Sequence, residues 1–205
     1  WRDRRRKVQP AFQTRRVKDY ARKAADYAQR LCARLDDEAA GSTIVIDTDA
    51  IMARLALDIA ACTLFGVDSL HNGDKIEKAI QLLSDTAFRE SISPVRLPDW
   101  LPLPAKHRKR WAISVMDDVV VGLVQGRIDA QEKDQGDLLS MLLEQHGGRL
   151  EPVRDDAMSL LIAGHETTGA LLSWLFLALV DHPSWRRRII EEVAGVLAGR
   201  PATVE

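Results

Sequence analysis

Cysteine is scarce in this chain of 205 residues, with only Cys32 and Cys62 present. Each sits inside a helical pattern and neither belongs to a paired motif, which argues against a disulfide framework and suits a reducing compartment. Aromatic residues make up 5%. No basic stretch is interleaved with them in a sheet-like pattern, and helix-turn-helix spacing and a zinc motif are also lacking, so the usual signs of nucleic-acid binding are missing. No signal peptide, internal repeat or low-complexity segment is visible. The formal net charge is only −1. What remains is a composition and length able to bury one good core.

The charge is small in total but uneven. The first 34 residues carry 12 Lys or Arg against three Asp, a net of +9, and the remainder carries −10. A solvated helix face is the ordinary meaning of such a run. A surface that receives an acidic protein partner or the anionic groups of a cofactor is the sharper one. A helical interaction or nucleic-acid-binding module built on these basic helices is the alternative function.

Periodicity predicts a mainly α chain. Helices are expected over about 1–12 and 14–39, the second ended by Gly41. Thr43–Asp47 is the one strand candidate, being β-branched and apolar. Asp49 is placed to cap a helix that runs to Phe65 and stops at Gly66. Another helix spans about 74–90. A proline-rich crossover through Pro94, Pro98, Pro102 and Pro104 leads into a long helix over about 105–132. A short helix near 137–144 ends at Gly147-Gly148. The longest, about 152–180, has Pro152 near its first turn, and a last one covers about 184–197 before Gly199. The chain begins on Trp1 inside a helical motif and stops at Glu205 without a terminal signal, so it is expected to be part of a longer protein.

The longest helix holds the chemistry. Ala163-Gly164-His165-Glu166-Thr167-Thr168 interrupts an otherwise apolar run. Burying an acid, an imidazole and two hydroxyls without partners is costly, so the cluster is either a satisfied core group or a groove. At helical spacing Ala163, Gly164, Thr167, Thr168 and Leu171 share a face. Most of them are small, so a flat object can lie on the backbone. Gly164 weakens the helix, and threonine hydroxyls turned onto carbonyls one turn back bend helices; a local distortion is expected here. His-Glu invites comparison with a zinc-protease helix, but H-E-x-x-H needs histidine where Gly169 stands. A membrane span over 158–180 is long enough at about 20 residues, but His165 and Glu166 sit at its centre, where charge is costly; no membrane span is expected.

Ala-Gly-x-Glu-Thr-Thr within a long apolar helix resembles the oxygen-binding helix of the cytochrome P450 family of haem-thiolate monooxygenases. Three further stretches resemble that family in its order. Trp1-Arg2-Asp3-Arg4-Arg5 resembles its W-x-x-x-R helix, Leu64-Phe65-Gly66-Val67-Asp68 a helix end common in it, and Asp181-His182-Pro183-Ser184-Trp185 followed by Glu191-Glu192-Val193 its next turn and helix. The resemblance covers essentially the whole chain.

It implies a cytochrome P450 fold, incomplete: residues 1–205 form the distal helical portion with one short strand, without the N-terminal part and without the proximal part that carries the cysteine ligand. Neither Cys32 nor Cys62 lies in a Gly-rich ligand loop, and no Arg follows Glu192 at the spacing of the family's E-x-x-R helix. The implied cofactor is haem. The implied partners are a hydrophobic small-molecule substrate, dioxygen and an electron donor of ferredoxin or flavodoxin type, in a cytoplasmic, bacterial-style enzyme. Carried over residue by residue, Thr167 is the hydroxyl beside the oxygen and Glu166 the carboxylate that relays protons. Ala163 and Gly164 are the small residues over the haem face, and Trp1 and Arg5 contact a propionate. The two helices around the proline-rich crossover form a lid, whose Phe88, Ile92, Val95 and Leu97 are candidates to face substrate. His165 is structural.

Overall fold

A computed structural model describes residues 2–68, 70, 73–94, 98, 101–130, 137–200 and 202–203. Among them run eight α-helices and one 3-10 turn: α1 (Arg2–Val8), the turn (Gln9–Phe12), α2 (Thr14–Ala39), α3 (Thr48–Phe65), α4 (Gly73–Ile92), α5 (Pro104–Asp129), α6 (Leu138–Gln145), α7 (Leu150–Asp181) and α8 (Pro183–Leu197). Local chemistry sets most ends. Asp47, rather than the expected Asp49, caps α3 by accepting a 3.1 Å hydrogen bond from the Ala50 amide. Asp49 sits within the first turn, where its charge favours the helix dipole. Gly66, at φ 69°, closes the same helix in a left-handed conformation. Pro104 opens α5, where its missing N–H removes no helical bond.

The expected strand does not form. Residues 43–47 form no regular element and take no ladder partner among the described residues, and Val45 is fully exposed. A β-branched run favours extension, yet a strand needs a second backbone to bond.

The core is organised around α3, which packs on α7, α2, α4 and α6. Leu57 and Phe65 of α3 meet Ile80 of α4, Val120 of α5, Leu142 of α6 and Leu161 of α7, all at most 1% exposed. The α3–α7 seam is tight because small residues line it. A Cβ placed on Gly169 would stand 3.0 Å from the Ala53 Cα, so only glycine allows the two backbones to approach this closely.

Two buried polar contacts fix the α6 region. The Arg127 guanidinium donates to Asp137 Oδ2 and to the Phe65 carbonyl, each at 2.9 Å, and to Ser140 Oγ at 3.0 Å. His146 Nε2 lies 2.9 Å from Asp156 Oδ2. Helices α4 and α5 are tied at their crossover end by Glu90, which accepts from Lys106 at 2.7 Å and Lys109 at 3.0 Å. Those hydrogen bonds hold the Glu90 carboxyl below its ordinary range.

Several of the basic residues near the chain start have partners within the fold. In α2, Arg22, Arg30 and Arg34 pair with Asp19, Asp26 and Glu38 of the same helix, and Lys23 donates to the Cys62 carbonyl. In contrast, the C-terminal half of α7 and all of α8 present apolar surface: Trp174 and Val196 are more than two-thirds exposed, and no residue of α8 is buried. By length and composition α7 is the one helix among the described residues that could cross a membrane. Its N-terminal half instead packs in the protein, with Asp156 and His165 buried.

Candidate active site

The α7 helix has two unlike faces where the polar cluster falls. Leu161, His165 and Gly169, spaced by four, are buried, and Ala53 of α3 lies against Gly169. Ala163, Thr167, Leu171 and Trp174 form the opposite stripe, and all are exposed. Gly164 and Glu166 flank that stripe and are exposed as well. Four of the expected site residues, Ala163, Gly164, Glu166 and Thr167, are thus brought together on one open surface. Arg5 is exposed on a separate element, α1, which packs beside α6. Trp1 lies outside the described residues, as do Val95 and Leu97.

Thr167 Oγ1 donates to the Ala163 carbonyl at 2.7 Å. With its proton used inside the helix, the hydroxyl turns its lone pairs to the open face and can accept a hydrogen bond there. The expected local distortion is absent: α7 is continuous from Leu150 to Asp181. The threonine bond supplements the helical ladder here and does not replace one of its links. Gly164 is not required by packing either. A Cβ on it would meet only the Ala60 Cβ, at 3.9 Å, in ordinary contact. Its smallness therefore matters towards the open side.

Glu166 reaches the lid. Its Oε2 accepts a 2.8 Å hydrogen bond from Ser84 Oγ of α4. Phe88 and Ile92 follow Ser84 at intervals of four on the same helix stripe, and each is about two-thirds exposed, at 66%. Ser84 carried no signal in the sequence, since a lone serine on an amphipathic helix is ordinary and its partner is 82 residues away.

His165 is 4% exposed, and neither ring nitrogen has a hydrogen-bond partner among the described residues. Burial lowers its pKa from the ordinary 6.5, against weaker pulls upward from Glu166 and the Ala53 backbone. The native state therefore keeps this ring neutral where the unfolded chain would protonate it. Stability from this site is complete above the unfolded value and declines as pH falls below it. Denaturant midpoints at about pH 7.5 and pH 5.5 should show a loss on acidification that His165→Leu reduces; an equal loss in both proteins contradicts this.

Neither cysteine is near the open face by element: Cys32 is exposed on α2 and Cys62 buried in α3. Among the described residues no group of three His, Cys, Asp or Glu is placed to hold a metal.

The family model described as Cytochrome P450 matches residues 1–205. The chain belongs to the cytochrome P450 family. Cyclooctatin synthase of Streptomyces melanosporofaciens is 30% identical over 98% of the chain and 45% of its own length. Cyclooctat-9-en-7-ol 5-monooxygenase of the same organism is 31% identical over 98% of the chain and 44% of its own. The crystal structure of the cytochrome P450DA heme domain superposes with a TM-score of 0.74 at 25% identity, covering 96% of this chain and 43% of that one. The chain thus spans a little under half the length of these three proteins.

Cytochromes P450 bind haem. The exposed Ala163–Thr167 turn fits one side of such a group, because its small side chains leave the backbone open and Leu171 and Trp174 continue the surface as apolar area. Cys32 and Cys62 stand on α2 and α3, outside the α7 helix that carries this turn.

Proposed function

We infer that the protein is a haem-dependent monooxygenase that hydroxylates a hydrophobic small molecule, and that this chain supplies the distal side of its pocket. The single observation that carries the reading is the open turn of α7, where Ala163 and Gly164 leave room beside an outward-facing Thr167 hydroxyl and an adjacent Glu166 carboxylate. Haem, when bound, supplies the activation of dioxygen. The protein's share is orientation and protons. Thr167 accepts a hydrogen bond from a water on the open face and so holds it in line. Glu166, exposed, takes protons from solvent and passes them to that water. Arg5, with Trp1, is assigned to a haem propionate, where a charge-assisted hydrogen bond is favourable.

Phe88 and Ile92 give the lid an apolar stripe suited to a hydrophobic substrate, in keeping with a relative named for oxidation of cyclooctat-9-en-7-ol. The basic first 34 residues suit an acidic electron donor of ferredoxin or flavodoxin type. A cytoplasmic setting accords with the two unpaired cysteines.

A test uses the complete enzyme, reduced and treated with carbon monoxide. Cys32→Ser and Cys62→Ala, made singly, should each leave the red-shifted band of thiolate-ligated haem in place. Loss of that band with retained haem in either variant would mean that this chain, and not another part of the enzyme, supplies the sulfur.

A further inference from the structure

The lid helix and the proton-relaying helix meet at one polar contact. Ser84 is half-buried on α4, and its Oγ lies 2.8 Å from Glu166 Oε2 on α7. Another acid contact of α4, Glu90, is held by two ammonium groups and fastens α4 to α5. The link from α4 to the Glu166 carboxylate is of a different kind. It is a single hydrogen bond from a neutral donor to an exposed acid, which water can replace at little cost. Beside it Leu83 of α4 and Met158 and Ile162 of α7 line one cavity between the helices. Met158, Ile162 and Glu166 follow one another at intervals of four, so that cavity and the carboxylate fall on one stripe of α7.

A glutamate side chain on an exposed helix face samples several rotamers, and fixing it in one needs a partner. Ser84 is that partner among the described residues. The same α4 stripe carries the exposed Phe88 and Ile92, so a hydrophobic molecule lodged against them touches the helix that holds the acid. We propose that Ser84 is a positioning residue: it latches Glu166 in the orientation from which protons reach the open face, and it does so only while the lid is seated. Seating of α4 by a ligand and readiness of the relay become one event. Displacement of α4 frees the carboxylate into solvent, where it no longer addresses the Thr167 side.

This rests on the proton-relay role of Glu166, and the experiment separates the two. The complete haem-loaded enzyme is driven by hydrogen peroxide with guaiacol as the probe substrate, so that neither an electron donor nor the natural substrate is needed. In parallel, amide hydrogen exchange is followed in the segment 81–92. Glu166→Gln should slow turnover. Ser84→Ala should slow it in the same sense, roughly two- to tenfold, and speed exchange in α4. Ser84→Thr, which restores the hydroxyl, should recover both. The double variant should be no slower than Glu166→Gln alone, because the latch has nothing left to hold. If Glu166→Gln slows turnover and Ser84→Ala leaves it unchanged, the latch is wrong and the relay stands. If the two effects multiply in the double variant, Ser84 acts elsewhere and the latch is again wrong. If Glu166→Gln has no effect, the relay fails and takes the latch with it.

Discussion

Thr167→Ala in the complete enzyme should divert reducing equivalents from product to peroxide, with product formed per reductant consumed falling on the order of tenfold or more. The geometry gives the reason. The hydroxyl donates to the Ala163 carbonyl at 2.7 Å, so what it offers the open face is an acceptor that fixes a water between Glu166 and the reacting oxygen. Alanine removes the acceptor and leaves the helix intact, since α7 does not depend on that bond for continuity. Haem content should therefore be unchanged. Thr167→Ser keeps the oxygen and should retain most of the coupling. Reductant consumed, peroxide released and product made are measured together; unchanged coupling in the alanine variant would remove Thr167 from proton delivery.

The largest loss of stability should come from Asp137→Ala. Asp137 is 2% exposed, and its carboxylate both neutralises the buried Arg127 and caps α6 through a 2.8 Å hydrogen bond from the Ser140 amide. Arg127 also holds the Phe65 carbonyl at the end of α3, so one ion pair joins three helices. Removing the acid breaks a largely buried ion pair, which costs about 3–5 kcal/mol, and the lost cap adds about 1 kcal/mol. Urea unfolding of the complete enzyme reports the change. A loss below about 1 kcal/mol would place Arg127 in water rather than in the interior.

Which parts of this were readable beforehand follows from the range of the interactions involved. The helices were legible because their apolar periodicity and their glycine and proline boundaries are local. Gly66 stops α3 where expected, and Pro104 starts α5 one residue from the estimate. The cap of α3 was misplaced by two residues because Asp47 and Asp49 are both competent, and only the fold selects the one that reaches the Ala50 amide. The strand expected at 43–47 is missing because extension is a local preference while pairing is not, and no ladder partner is found for it among the described residues. Within the site, the split of α7 into a buried and an open stripe was visible in the spacing of small and polar residues. The undistorted path of that helix was not, because a threonine back-bond either bends a helix or joins its ladder depending on the neighbours. Ser84 was beyond reach altogether. Its contact comes from α4 approaching Glu166 of α7 in the folded chain, and nothing in its own neighbourhood marks it.

The central claim, that the Ala163–Thr167 turn forms the distal face of the haem pocket, is tested most directly by carbon monoxide binding to the reduced complete enzyme carrying Ala163→Leu. Ala163 is exposed, so a larger side chain disturbs no packing within the chain. A leucine there should project over the iron and slow carbon monoxide association at least about tenfold, equivalent to about 1.4 kcal/mol in the barrier, while the thiolate band and haem content persist. An association rate equal to wild type would show that this turn does not face the haem.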